Sequence, residues 1–269
     1  MNSRFFSRLE IDEQDWCRYL IESEIVSERT QRQFVGKSGK AAFQEAVNTI
    51  ELLLQATEKL GGSIRDDAHL LDFGCGWGRI AKAASRYFEP ENIMCVDVQD
   101  DAIALVQQSA FPFIAEKIPT RPPTKLDDDS FDVVVAFSVF SHLNEGSANA
   151  WIREFSRILK PGGVFFITTR PRSFILWTEH LRKDSDIPEH ALNAATSFRD
   201  SPGAIEQYDA GEFVFDAEHQ SGPLAASGYG QACIPEAYVR KHWAELFSNL
   251  MLESAAEAGI SQSIIAGRV

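Results

Sequence analysis

Residues 70–80 read LLDFGCGWGRI, and this stretch decides the fold. Leu70, Leu71 and Phe73 make a short apolar run of strand type, with Asp72 placing a carboxylate near its carboxyl end. Gly74, Gly76 and Gly78 follow, so the backbone can turn sharply and approach a ligand without Cβ interference. Beyond them Ile80, Ala83, Ala84, Tyr87 and Phe88 recur at helical spacing, which predicts a helix packed back on a sheet. A strand, a glycine turn and a helix in this order can hold phosphate or nucleoside.

Working outward, a second apolar run at residues 93–96 ends on Asp97, about 20 residues beyond the glycines, where an acidic side chain can take both ribose hydroxyls. The pair is far more specific than the glycines alone, because glycine turns also serve purely steric ends. The nicotinamide fingerprint G-x-G-x-x-G has its third glycine one position later, where this chain has Arg79. That difference does not decide between nucleoside cofactors, since strand, turn, helix and acidic residue are common to both.

Two further segments bear on the choice. Residues 126–144, LDDDSFDVVVAFSVFSHLN, give an acidic turn, a buried strand at 131–137 and a polar cluster of Ser138, Ser141 and His142. Residues 155–169, FSRILKPGGVFFITT, give a helix end, a Pro161-Gly162-Gly163 turn and another buried strand. With the first two motifs, in this order and at these intervals, residues 65–170 resemble the class I S-adenosylmethionine-dependent methyltransferases. The likeness extends more faintly to DAGEFVF at 209–215 and GYGQACIPEAYVRKHWAELF at 228–247, which resemble a bacterial small-molecule branch of that family.

The resemblance implies a fold and a set of roles. The fold is α/β, a Rossmann-like, mostly parallel seven-stranded sheet with helices on both faces and an antiparallel last strand inserted between its neighbours. The implied cofactor is S-adenosylmethionine. Gly74, Cys75, Gly76 and Gly78 would face its methionine and ribose portions, Asp72 its amino group, Asp97 the ribose, Val98 the adenine, and Phe137 or Ser138 the methionyl part. A polar contact to the adenine amine is expected after the third strand, around Ala115, Glu116 and Lys117. The chemistry would be in-line displacement at the methyl carbon, in which alignment and exclusion of water are the protein's main task.

Composition bounds the rest. A chain of 269 residues with 44% hydrophobic content can bury one large core plus a modest lobe. We expect a helical cap over residues 1–62, with a helix carrying Ala42, Phe43, Ala46, Val47, Ile50, Leu53 and Leu54 on one face and ending at Gly61-Gly62. The cofactor-binding domain would span 63–269, with an insertion at about 171–248 that builds the acceptor pocket from a helix pair and a strand hairpin. Residues 36–39, GKSG, lack the upstream glycine and strand of a phosphate loop and read as a hinge.

A formal charge of -13 with no concentrated basic patch argues against a nucleic-acid acceptor and for a small molecule. No apolar run is long enough to insert into a membrane and the start lacks a secretory pattern, so a cytoplasmic location is expected. Cys17, Cys75, Cys95 and Cys233 are scattered without metal-ligand spacing, so no metal is expected. His142 and Tyr229 are the candidate catalytic residues, each with a structural alternative: His142 as a loop-orienting hydrogen-bond partner, Tyr229 as a packing anchor. Tyr238, His242 and Trp243 read as helix packing, and His180 and His190 as surface. Two other functions share these motifs: a nicotinamide-dependent oxidoreductase, and a cofactor-binding regulator without turnover. Oligomeric state is not legible.

Overall fold

The computed structural model describes residues 12–184, 186, 187, 191–217 and 229–269. His190 and Gly228 lie outside the described residues. Three helices come first, α1 (Glu13–Glu22), α2 (Glu28–Val35) and α3 (Gly39–Lys59). Strands and helices then alternate: β1 (Leu70–Phe73), α4 (Arg79–Ala84), β2 (Ile93–Asp97), α5 (Asp100–Gln107), β3 (Ile114–Lys117), β4 (Phe131–Ala136), α6 (Glu145–Ile158) and β5 (Leu159–Thr169). A lobe follows with α7 (Arg172–Leu181), α8 (Leu192–Ala195), α9 (Ser201–Asp209), β6 (Val214–Asp216) and β7 (Gln231–Cys233). The chain finishes with α10 (Glu236–His242), β8 (Asn249–Glu253), α11 (Ala255–Ala258) and β9 (Ser263–Arg268).

The main sheet has the order β3-β2-β1-β4-β5-β9-β8. The first five strands are parallel, and β9 runs antiparallel to both β5 and β8, as expected. Side chains alternate cleanly between two apolar layers. Leu70, Val133, Val135, Val164 and Phe166 face the layer of α1, α3 and α4, whereas Leu71, Val134, Phe165 and Ile167 face that of α6 and α10. A period of two with both sets buried is what a sheet covered on both faces demands.

The N-terminal helices are fastened to the sheet by α3, whose Ala42, Phe43, Ala46, Val47, Ile50 and Leu53 are all buried, while Leu54 is half-buried. Two ion pairs join these helices to α4. Lys82 meets Glu24 at 2.7 Å with both side chains under 5% exposed, and Arg79 meets Glu45 at 2.8 Å.

Some boundaries differ from the sequence reading. The helix after the glycines stops at Ala84, and Tyr87 and Phe88 follow in turns, where their amides still bond Ala84 O. Ser85 ends the helix, its hydroxyl donating to the carbonyl of Lys82. β4 ends at Ala136 because Ser138 adopts a left-handed φ of 60°. The helix at 235–247 is shorter, Glu236–His242, although Trp243 and Phe247 are buried as expected. Among the described residues the inserted lobe holds three helices, α7 to α9, beside the expected hairpin of β6 and β7.

Candidate functional site

The glycine turn is stitched to the end of β2. Gly74 and Cys75 both donate to the carbonyl of Val96, at 2.8 and 3.1 Å, and Gly76 donates to Asp97 Oδ2 at 3.0 Å. Asp97 Oδ1 accepts from Gln99 N at 2.9 Å, so the carboxylate is held rigidly with lone pairs left over. At Gly74 the need for glycine is physical: φ is +71°, and a Cβ would lie 2.4 Å from Val139 Cγ2. The loops after β1 and β4 can approach this closely because no side chain stands between them.

A cleft of about 580 Å³ opens over this turn. Asp72, Gly74, Cys75, Gly76, Asp97, Val98, Phe137, Ser138, His142 and Tyr229 all line it, so the structure brings together ten residues singled out from widely separated motifs. Gly78 is the exception. It caps α4 at φ +81°, and a Cβ there would press on Val106 of α5, so its glycine serves helix packing and not the cleft. Ala115, Glu116 and Lys117 form the edge strand β3 and do not line the cleft; Ile118 and Thr120, just past it, do. Arg79, at the place of the missing third glycine, is buried beneath α3, donating to Ala42 O and Glu45 and lying 5.1 Å from the Phe137 ring.

Burial sets the charge state of the two acids. It raises Asp72 to about 7, against the opposing pull of the Ala81 amide and of Arg79. Asp97 is also raised by burial, with the amides of Gln99 and Gly76 working the other way. A cation entering the cleft would favour the ionised form of both.

The other wall is assembled by the loop after β4 pairing with β7. Gly230 donates to His142 O and Ala232 to Ser141 O, both at 2.8 Å, which places the His142 ring on the Tyr229 ring at 4.5 Å and 9°. His142 Nδ1 is 2.8 Å from Gly230 O; a carbonyl only accepts, so Nδ1 carries the proton and Nε2 a lone pair. Burial, then the positive charge of Arg170, lowers His142 to about 3, and burial lifts Tyr229 to about 12. Both rings are therefore neutral near pH 7.

Several lining residues carried no local signal in the sequence. Gln262, from the turn before β9, donates to Ser138 Oγ at 2.8 Å and accepts from Thr168, whose Oγ1 in turn accepts from Ser138 N. Phe34 comes from α2, Gly36 and Lys37 from the link to α3 that the sequence marks as a hinge, and Arg170, Phe174 and Trp177 from the end of β5 and α7. Among the described residues no cluster of His, Cys, Asp or Glu could hold a metal ion, the four cysteines are free and buried, and no helix is long and apolar enough to cross a membrane.

Comparison with known proteins agrees with this geometry. Residues 70–163 match the model of a family described as a methyltransferase domain. A fatty-acid O-methyltransferase of Mycolicibacterium smegmatis is 30% identical over 153 residues, 55% of this chain and 53% of that protein. A tRNA N(3)-cytidine methyltransferase of Gallus gallus is 26% identical over 107 residues, 36% of this chain and 29% of that protein. The chain thus spans about half or less of the length of these curated relatives. Among solved structures, a protein of Pyrococcus horikoshii OT3 superposes with a TM-score of 0.53 at 17% identity, covering 84% of this chain and 90% of that one. The 1,6-didemethyltoxoflavin-N1-methyltransferase of Burkholderia thailandensis, solved with S-adenosylhomocysteine, gives 0.50 at 15% identity, covering 96% and 90%. These structures share the fold.

Proposed function

We propose that this chain, whose residues 70–163 match the model of a methyltransferase-domain family, transfers a methyl group from S-adenosylmethionine to a small-molecule acceptor. The observation that carries the reading is the cradle at Gly74. Its missing Cβ lets the β4 loop close on the β1 turn at Val139, in the wall of a cleft that two buried carboxylates, Asp72 and Asp97, also line.

The residues present fit the cofactor. Asp97 has spare lone pairs for the ribose hydroxyls, Asp72 offers a carboxylate to the methionyl ammonium, and Val98, Ile118 and Phe137 offer apolar surface for adenine. When bound, the cofactor supplies an electrophilic methyl on a sulfonium whose leaving group is neutral. The chain's own part is to orient the acceptor and keep water out. His142 and Tyr229 form the acceptor wall, with His142 as a positioning residue that ties the β4 loop to Gly230. The N-terminal helices, residues 1–62 in the domain division proposed here, contribute Phe34 and the segment around Gly36 and Lys37 to the rim. The lobe at about 171–248 supplies the acceptor side.

The charge of -13 and the aromatic enclosure favour a small molecule over a nucleic acid. The direct test is incubation of purified protein with S-adenosylmethionine carrying a labelled methyl group and a cell extract, followed by mass analysis. A single labelled metabolite supports the reading. Label confined to RNA, or no transferred label from protein that binds the cofactor, contradicts it.

A further inference from the structure

We propose that Arg170 is the counter-ion for an acceptor carboxylate, and that the molecule methylated is an apolar carboxylic acid leaving as its methyl ester. The inference rests on the methyltransferase reading and names its acceptor.

Arg170 stands at the end of β5, where the sheet opens into the cleft. Its Nε donates to Gln231 Oε1 at 2.7 Å, and its guanidinium lies over the Phe174 ring at 4.0 Å. These two contacts fix the plane of the group. No carboxylate pairs with it among the described residues, in contrast to Arg79 and Arg172, which have one each, and Arg157, which has two. A guanidinium held flat in a cleft wall, with its terminal amino groups free of acceptors among the described residues, presents the fork that matches a carboxylate. Burial lowers the pKa of Arg170, as it does that of buried Arg79, so the geometry and not the shift distinguishes the two.

The neighbours point to the same chemistry. A hydroxyl or ammonium acceptor must lose a proton before or during attack, and the wall around Arg170 holds no group ready to take it. His142 is held low by burial and by Arg170, whereas burial pushes Tyr229 and Cys233 up to about 12. A carboxylate needs no base, because it is ionised at neutral pH. Besides Phe174 under the guanidinium, the cleft that Arg170 lines has apolar surface from Leu143, Val139, Ala194 and Trp177, the last 42% exposed. This surface fits an acyl or aryl body behind the charged head.

The step balances without a further reactant. One carboxylate oxygen attacks the methyl carbon, a C–O bond forms as the C–S bond breaks, and the electron pair of that bond goes to sulfur. A carboxylate and a sulfonium become a neutral ester and a neutral thioether, and no proton moves. The ester has lost the charge that Arg170 held, so product binding is weaker than acceptor binding.

The test uses the full chain with decanoate and 4-phenylbutyrate as probes, and 1-decanol and decylamine as controls. Ester formation is followed by mass spectrometry, and binding of decanoate and of S-adenosylhomocysteine by separate calorimetric titrations. Methyl esters should form from the acids alone, at a rate that with S-adenosylmethionine kept saturating is flat between about pH 6 and 8, where a carboxylate stays ionised. Arg170→Gln should raise the KM for decanoate about 30-fold while leaving S-adenosylhomocysteine affinity unchanged, and Arg170→Lys should recover part of the loss. Methylation of the alcohol or amine with neither acid used, an unaltered KM in Arg170→Gln, or failure of the acids to bind protein saturated with S-adenosylhomocysteine would overturn the assignment while leaving methyl transfer intact. Decanoate binding that depends on Arg170 in a protein that ignores S-adenosylhomocysteine would instead sustain the anion subsite and remove the methyltransferase reading.

Discussion

The two walls of the cleft are made of different materials. The wall at β1 and β2 is backbone: glycines, amides stitched to Val96 and Asp97, and two strand-end acids within 26 residues of one another. The wall at β4, β5 and β7 is side chain: His142, Arg170, Phe174 and Tyr229, drawn together from across almost 90 residues by the pairing of a loop with a short hairpin. Backbone geometry tolerates little change and suits a ligand that stays the same. Side chains can be exchanged without moving the sheet, and suit a ligand that differs between proteins of one fold.

That contrast can be broken by substitution, and the largest effect should come from the frame behind the backbone wall. Lys82→Ala leaves Glu24 buried without its partner and should cost about 3–5 kcal/mol of stability, read by urea denaturation. A loss below about 1 kcal/mol would show that the pair is solvated and the N-terminal helices loosely held. Next is Gly74→Ala, which combines a left-handed φ with a contact on stiff Val139. It should cost about 2–4 kcal/mol and abolish S-adenosylhomocysteine binding in whatever fraction stays folded.

Asp97→Ala should leave the fold intact and weaken S-adenosylhomocysteine binding by about 1.5–3 kcal/mol, the worth of hydrogen bonds to a charged group. Unchanged affinity in calorimetry would remove Asp97 from the ribose site. The smallest effect is one of pH. Burial raises Asp72 to about 7 in the folded protein, above its ordinary value of 3.8, so the folded protein holds a proton that the unfolded chain has released between these values. Stability from this group is present below the lower value and fades as pH rises to about 7. A cationic ligand pulls the other way: affinity for S-adenosylmethionine should fall by up to about tenfold per pH unit below 7, and Asp72→Asn should flatten both profiles. A wild-type affinity independent of pH from 5.5 to 8 would contradict the placing of Asp72 beside the ligand's charge.

How much of this was legible in the sequence follows the same division. The buried strands β1, β2, β4 and β5 were readable as apolar runs, the place of the antiparallel last strand followed from the family resemblance, and the Gly74, Gly76 and Asp97 signals are local. Gly78 is ambiguous in a string, since a glycine whose Cβ would press on Val106 of α5 looks the same there as one that faces a ligand. Arg170 was visible only as one of several basic residues; nothing nearby in sequence says that Gln231 and Phe174 will orient it. Gln262, which locks Ser138 through Thr168, is 124 residues from its partner and carries no pattern at all. The helix ends at Ala84 and His242 were overrun because apolar residues continue at helical spacing in the turns beyond them, where burial persists after the helix has stopped.

The central claim is that the glycine turn between β1 and β2 receives an adenosyl ligand. Isothermal titration of the intact chain with S-adenosylhomocysteine, with reduced nicotinamide dinucleotide as control, tests it most directly. The account predicts saturable heat at one ligand per chain for the first compound and none for the second. A cooperatively folded sample that gives no heat with S-adenosylhomocysteine, or that binds the dinucleotide instead, would contradict it.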